Sequence, residues 1–338
     1  MMVRRQRIVL RVAALAVAVL FPLSALAQQA KPNQPKRSKQ EQADIDAVVK
    51  LLDDVIAGQP APTDIQMTLT PFYFKSQEKR TFVPFTLDLT NAPADNALLC
   101  VRIVTPGLTP DPKTKKVEYP WEDLHFLTAA DLASGKLQRA LMASPGPADV
   151  YIAVRQRLPE KAPKTQVAKV GVLKTQLTVP DFWGTELATS TVMLVGKVNT
   201  LSAALSPEEG RARPFAFGPN EFLPATSTTV SKADHLNIFY QIYNVSPDPQ
   251  GKPSITIEYN FHRTEGGAEK FFNKTNPRTI GGADVPPTFD TSKYPVPETL
   301  EIPLNSFPEG EYRLEIKVTD KVSSKTLTRD VKFTVKGA

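Results

Sequence analysis

The chain has 338 residues, 41% of them hydrophobic and 22% charged, with 41 Lys and Arg against 35 Asp and Glu for a formal net charge of +6. The apolar share is too high for a disordered chain, and a single Cys excludes both a disulfide framework and a Cys-rich zinc site. Pro outnumbers Gly by 31 to 16 without a collagen period, which points to β-rich modules joined by stiff loops.

Residues 1–27 set Arg4, Arg5, Arg7 and Arg11 ahead of an apolar run from Val12 through Leu23 that contains Pro22. Ala25-Leu26-Ala27 then precedes Gln28, placing small residues where a signal peptidase needs them. The segment therefore reads as a secretory signal peptide whose cleavage point is marked by Ala25, Ala27 and Gln28. Its apolar run is shorter than the ~20 residues that span a bilayer, and no second such run predicts a transmembrane segment in the mature chain. Removal of the four Arg leaves 37 basic against 35 acidic residues, so the basic character belongs to export and a nucleic-acid partner is not expected.

Residues 28–43 are polar with two Pro and read as a flexible tether. Ile45, Val48, Val49, Leu52, Val55 and Ile56 then recur at helical spacing, with Asp44 as a cap and Gly58 and Pro60 as the stop. One short amphipathic helix is predicted over 44–58.

From Ile65 onward the period changes to two. Val83, Phe85, Leu87 and Leu89 alternate with polar or small neighbours, as do Val150, Ile152 and Val154, predicting half-buried antiparallel strands. The segment Asp131 to Met142 fits either a helix or a strand. Cys100 lies in the apolar run from Ala97 to Ile103 and reads as a buried structural thiol. At the carboxyl end, Tyr312, Leu314, Ile316 and Val318, then Val331, Phe333 and Val335, describe a long hairpin with one wet face.

The approach to that hairpin, Leu304 to Tyr312, has the same grammar as Leu141 to Tyr151, with four residues from Leu to Pro in both. The repeat predicts an all-β chain of two tandem immunoglobulin-like β-sandwich domains, 62–180 and 185–336. Runs around Leu236 to Tyr243 are apolar on both faces and suit central strands. A long polar stretch at 263–297, with Gly266-Gly267, Gly281-Gly282 and Pro286-Pro287, is expected as a mobile recognition loop.

The run from Phe222 through Asn237 to Val245, with Ile302-Pro303-Leu304, Phe307 to Leu314 and Phe333-Thr334-Val335, resembles the carboxyl-terminal β-domain of secreted bacterial proteins in the GWxTD and acidobacterial VWFA-related groups. The likeness covers about Thr185 to Lys336. The chain lacks the Gly-Trp-x-Thr-Asp segment, and Asp290-Thr291-Ser292 is not the Asp-x-Ser-x-Ser metal motif of the second group. The resemblance thus implies compartment and fold and carries over no active-site residue.

Catalytic, cofactor and metal residues are not predicted. With His125, His235 and His262 as the only His, the sequence has no His-Glu-x-x-His helix, no nucleophile elbow and no phosphate-cradling loop. The densest polar cluster is Tyr119 to His125, where only Asp123 and His125 fall on one face of a strand. Trp121, His125 and Trp183 are the candidate ligand contacts, since aromatic rings stack on sugars or prolines when they are not filling a core. Three functions follow: an exported binding or structural protein that contacts an envelope protein, a carbohydrate-binding module that takes a polysaccharide through its aromatic residues, and a hydrolase centred on Asp123 and His125.

Overall fold

The computed structural model describes residues 37–76, 78–113, 117–163 and 165–337. The signal peptide, its cleavage site at Ala25, Ala27 and Gln28, and the tether up to residue 36 lie outside the described residues. The chain is mostly β-strand in several sheets and forms two compact units. One runs up to Asp181 and also takes in Leu205–Pro214; the other comprises Phe182–Ala204 and the chain from Phe215 onward. Among the described residues, no helix is long and apolar enough to cross a membrane.

The first unit contains α1 (Lys39–Ile56), β1 (Gln66–Pro71), β2 (Phe74–Lys75), β3 (Thr81–Thr90), β4 (Ala97–Val104), β5 (Trp121–Leu127), α2 (Ala129–Leu132), β6 (Lys136–Ala143), β7 (Gly146–Gln156), β8 (Val170–Val179) and α3 (Pro207–Ala212). In one sheet β3 lies between β6 and, on its other side, β1 followed by β2. Pro84 has no N–H to donate, and its carbonyl, which accepts from Phe72 N at 2.8 Å, faces the break between β1 and β2. The second sheet has the order β5-β4-β7-β8. Between the sheets lies one core, with Val83, Phe85 and Leu87 on one side and Leu99, Val101, Val150, Ile152 and Val154 on the other.

β7, expected to be wet on one face, is buried on both from Val150 to Val154. Leu98 and Cys100 on β4, Tyr151 and Ala153 on β7, and Val172 on β8 point away from that core and are covered by Ile45, Val48, Leu52 and Val55 of α1. The helix also starts earlier than the apolar spacing indicates. Ser38 accepts from Glu41 N while the Glu41 carboxylate accepts from Ser38 N, a capping box that outcompetes Asp44 as the start. Residues 39–43, expected as tether, are therefore helical. Asp44 instead sits buried inside the helix, 2.9 Å from Arg157 and 3.4 Å from Arg155. Near the other end, Asp53 receives Arg102 at 2.6 Å. At Gly171 a side chain would stand 2.1 Å from the Ile65 carbonyl, so only glycine lets the segment before β1 cross β8 this closely.

The second unit contains β9 (Ala188–Thr189), β10 (Met193–Thr200), β11 (Ala216–Phe217), β12 (Asn220–Pro224), β13 (Thr229–Ser231), β14 (His235–Tyr243), β15 (Ile255–Glu265), β16 (Ala268–Lys274), β17 (Arg278–Ile280), β18 (Val296–Pro303), β19 (Gly310–Asp320) and β20 (Thr326–Lys336). One sheet has the order β11-β12-β10-β14-β18 and the other β13-β20-β19-β15-β16. Their facing sides share a core that includes Ile238, Tyr240, Ile257, Tyr259, Leu314 and Phe333. β14 is central as its two apolar faces predict, with Phe239 stacked on Phe222 on the side away from that core.

The order β16-β15-β19-β20 repeats β5-β4-β7-β8, and β10-β14-β18 repeats β1-β3-β6. In both units the Leu-to-Pro grammar carries the chain from one sheet to the other, from β6 to β7 and from β18 to β19.

The stretch 263–297 is not a long loop. β15 continues to Glu265, Gly266 and Gly267 adopt φ of +60° and +79° as a tight turn requires, and β16 returns beside it. The part after β17 is held by Lys252 Nζ, which donates to the carbonyls of Pro287 at 2.5 Å and Phe289 at 2.7 Å, and by Thr291, whose hydroxyl donates to Gly251 O at 3.0 Å.

The cover provided by α1 has a direct chemical readout. Burial pushes the Cys100 thiol up to about 12, with Arg102 opposing it, so the thiol is both hidden and protonated. Leu52→Ala, at a fully buried helix position, is expected to cost about 2–5 kcal/mol in urea unfolding. It should also speed labelling of Cys100 by a thiol reagent under native conditions.

Candidate functional site

The polar cluster found in the sequence falls on β5, the edge strand of its sheet. Trp121, Asp123 and His125 pair with Ile103, Val101 and Leu99 of β4 and so share the side that faces the core. Glu122 and Leu124 take the opposite side, under α1. This alternation brings Asp123 and His125 together, with His125 Nε2 3.1 Å from Asp123 Oδ2, although the angle departs from that of a hydrogen bond. Arg211 of α3 closes on the other carboxylate oxygen. Burial works to raise the Asp123 carboxyl, but His125, Arg211 and the Leu124 N–H outweigh it and hold it below the usual range. Asp123 is thus an ionised carboxylate set between Arg211 and His125, which is the geometry of a clasp between β5 and α3.

Around it the remaining charges are also paired. Arg102 is 1% exposed, held by Asp53 and Glu122, and its guanidinium lies 4.0 Å from the centre of the Tyr119 ring. Arg139 on the inward side of β6 binds Asp131 of α2 at 3.0 Å. Trp121 is half-buried against the core, with Arg80 6.0 Å from its ring centre. Trp183 belongs to the second unit, where it is half-buried next to Phe182, whose ring packs on Tyr243 at 5.0 Å. The three candidate contacts are therefore divided: Trp121 and His125 share one side of β5, and Trp183 lies in the other unit.

Two features of the second unit carry no sequence motif. The first is the edge strand β16. Its two consecutive Phe residues take opposite sides, as neighbours on a strand do, and its register shifts at Phe272, between Phe271 and Asn273. Phe272 packs inward on Phe307 and Tyr312, while Phe271 is 59% exposed and meets His262 edge to face at 6.0 Å. Beside them Arg313 binds Glu269 through two nitrogens at 2.8 Å and also reaches Asp330 and Glu315.

The second is a buried polar chain. Tyr240 and Tyr259 place their hydroxyls 3.0 Å apart, Tyr259 donates to Glu298 Oε1 at 3.1 Å, and Arg278 donates to Glu298 Oε2 at 3.0 Å. Glu298 is 2% exposed, and burial raises its carboxyl to about 7 against the opposing effects of Arg278 and Tyr259. The signal for it was present in the sequence: Val296, Glu298, Leu300 and Ile302 alternate inward, and one of the four is charged.

Because the folded value of Glu298 lies above the ordinary 4.5, its contribution to stability is complete below about pH 4.5 and is lost as pH rises through about 7. A shift of this size is worth about 3 kcal/mol. In urea titrations from pH 4.5 to 8, Glu298→Gln should remove that loss, so the difference between variant and parent should change with pH over this interval and level off above it.

No family model and no curated protein sequence matches the chain. Among solved structures it is similar to the alpha-2-macroglobulin of Salmonella in its methylamine-reacted form, at 12% identity and a TM-score of 0.20, over 82% of this chain and 17% of that one.

Proposed function

We propose that the chain is an exported, non-catalytic binding or structural protein of a bacterial cell envelope, built from two tandem immunoglobulin-like sandwich domains, that meets a protein partner along a strand edge. The repeated strand orders, β16-β15-β19-β20 with β5-β4-β7-β8 and β10-β14-β18 with β1-β3-β6, support the immunoglobulin-like reading. The amino-terminal pattern ending at Gln28 supports export.

The observation that carries the reading is β16. It ends its sheet, no strand pairs with its far side among the described residues, and it presents Phe271 to solvent. An open edge offers main-chain donors and acceptors to an added strand, and an exposed aromatic side chain supplies the anchor such contacts use. Lys270 and Lys274 flank it and limit self-pairing, as charged residues on edges do. The cluster at Asp123, His125 and Arg211 fits this reading better than hydrolysis, because its charges are spent on one another.

A photoreactive phenylalanine analogue at position 271 of the full-length chain, irradiated in the native host, should give a discrete protein adduct. The same analogue at Val167, which is 85% exposed in the first unit, should not. Phe271→Asp should abolish capture by a tagged chain without lowering its melting temperature. Binding of cell-wall polysaccharide lost in Phe271→Asp, with no protein adduct, would replace the protein partner by a glycan. Amino-terminal sequencing of the exported protein should begin at Gln28.

A further inference from the structure

The second unit carries a carboxylate where its core should be apolar. Glu298 projects from the inward side of β18, and the titratable groups that face it are Tyr240 from β14, Tyr259 from β15 and Arg278 from β17. These four belong to four different strands. Three are fixed in long strands, but β17 is only three residues long and pairs with Ile255, Thr256 and Ile257 of β15. The Arg278 side chain is 29% exposed, whereas that of Glu298 is 1% exposed. One partner of the ion pair can therefore turn to water without disturbing the core, and the other cannot.

We propose that Glu298 and Arg278 form a proton-operated latch: the ionised carboxylate holds β17 against β15, and protonation of Glu298 inside the core releases Arg278 and loosens β17. The direction follows from the charges. A neutral carboxyl group is cheaper to keep buried than a carboxylate and still bonds to Tyr259. Arg278 is the charge that opposes proton uptake by Glu298, so the state in which Arg278 has left binds the proton more tightly and gains population as pH falls. Ile280, which is 3% exposed, keeps the strand near its place, so release is local. The burial of Glu298 places the midpoint near its value of about 7. Acidification thus strengthens the unit against global unfolding while loosening one of its edges, two trends of opposite sign from one group.

The test uses the full chain. Amide hydrogen exchange of Arg278, Thr279 and Ile280, corrected for intrinsic rates, should show β17 opening rise about fivefold from pH 8 to pH 6, within the limit of about tenfold per pH unit set by one proton. Exchange in β19 should not rise. The Glu298 carboxyl carbon, followed by NMR, should titrate near neutrality. In Glu298→Gln, β17 should be open at both pH values; in Arg278→Met, the Glu298 titration should move to higher pH. If Glu298→Gln does not fold, the parent and Arg278→Met titrations decide the matter. A Glu298 that titrates in the ordinary carboxylate range would overturn the latch, as would β17 protection that is unchanged or rises on acidification.

Discussion

The first unit depends on a sheet that is apolar on both faces. β4 gives Leu99 and Val101 to the core between the sheets and Leu98 and Cys100 to the other side; β7 does the same with Ile152 and with Tyr151 and Ala153. A four-stranded sheet cannot leave that second apolar surface in water, and α1 removes it at a typical worth of about 25 cal/mol for each square ångström. The helix does not merely decorate a finished sandwich, because without it β4 would expose Leu98, Cys100 and Arg102 together. In the second unit the corresponding strands need no such cover. β15 and β19 place Glu258, Asn260, Arg313, Glu315 and Lys317 on their outer side, where Lys317 pairs with Glu258 and Asn260 with Glu315 across the strands and Arg313 with Glu315 along one. The same strand order thus supports one covered face and one wet face.

Four buried or half-buried charges meet a counter-ion from another element: Arg102 meets Asp53 of the helix, Asp123 meets Arg211, Arg139 meets Asp131, and Glu298 meets Arg278. Such pairs add little net stability, because desolvation offsets their attraction, but removing either partner is costly. Their effect is to specify which segments come together. Arg211 joins the segment 205–214 to β5, and Arg102 fixes the rotation of α1 over the sheet. Glu298 differs from the others because burial brings it close to neutrality at physiological pH. Where Arg211 and neighbouring donors hold Asp123 ionised, Glu298 has Arg278 alone among the described residues as a counter-ion, and the Arg278 side chain is partly in water.

The two edges β5 and β16 occupy equivalent places and have opposite characters. β5 is closed by α3 on one side chain and by α1 over the other face. β16 is flanked by Lys and twisted by its register shift, and it keeps one large ring exposed. Edges that are left open usually carry devices against unwanted pairing, and an exposed ring on such an edge is unusual unless something covers it.

The sequence by itself determined the all-β character, the alternation of the long strands, the central place of β14, the carboxyl-terminal hairpin and the shared side of Asp123 and His125. The place of β14 follows from a run apolar on both faces and the rest from a period of two, and both patterns are local and independent of the rest of the chain. It did not determine the start of α1, because Ser38 and Glu41 look like tether until their reciprocal hydrogen bonds are seen. Nor did it reveal that 263–297 is a hairpin followed by a segment clasped by Lys252, since polar strands on an edge have the composition of loops. The partners of Arg102, Asp123 and Glu298 were decided only by tertiary structure, because a charge on an inward position shows that a counter-ion is needed but not which distant residue supplies it.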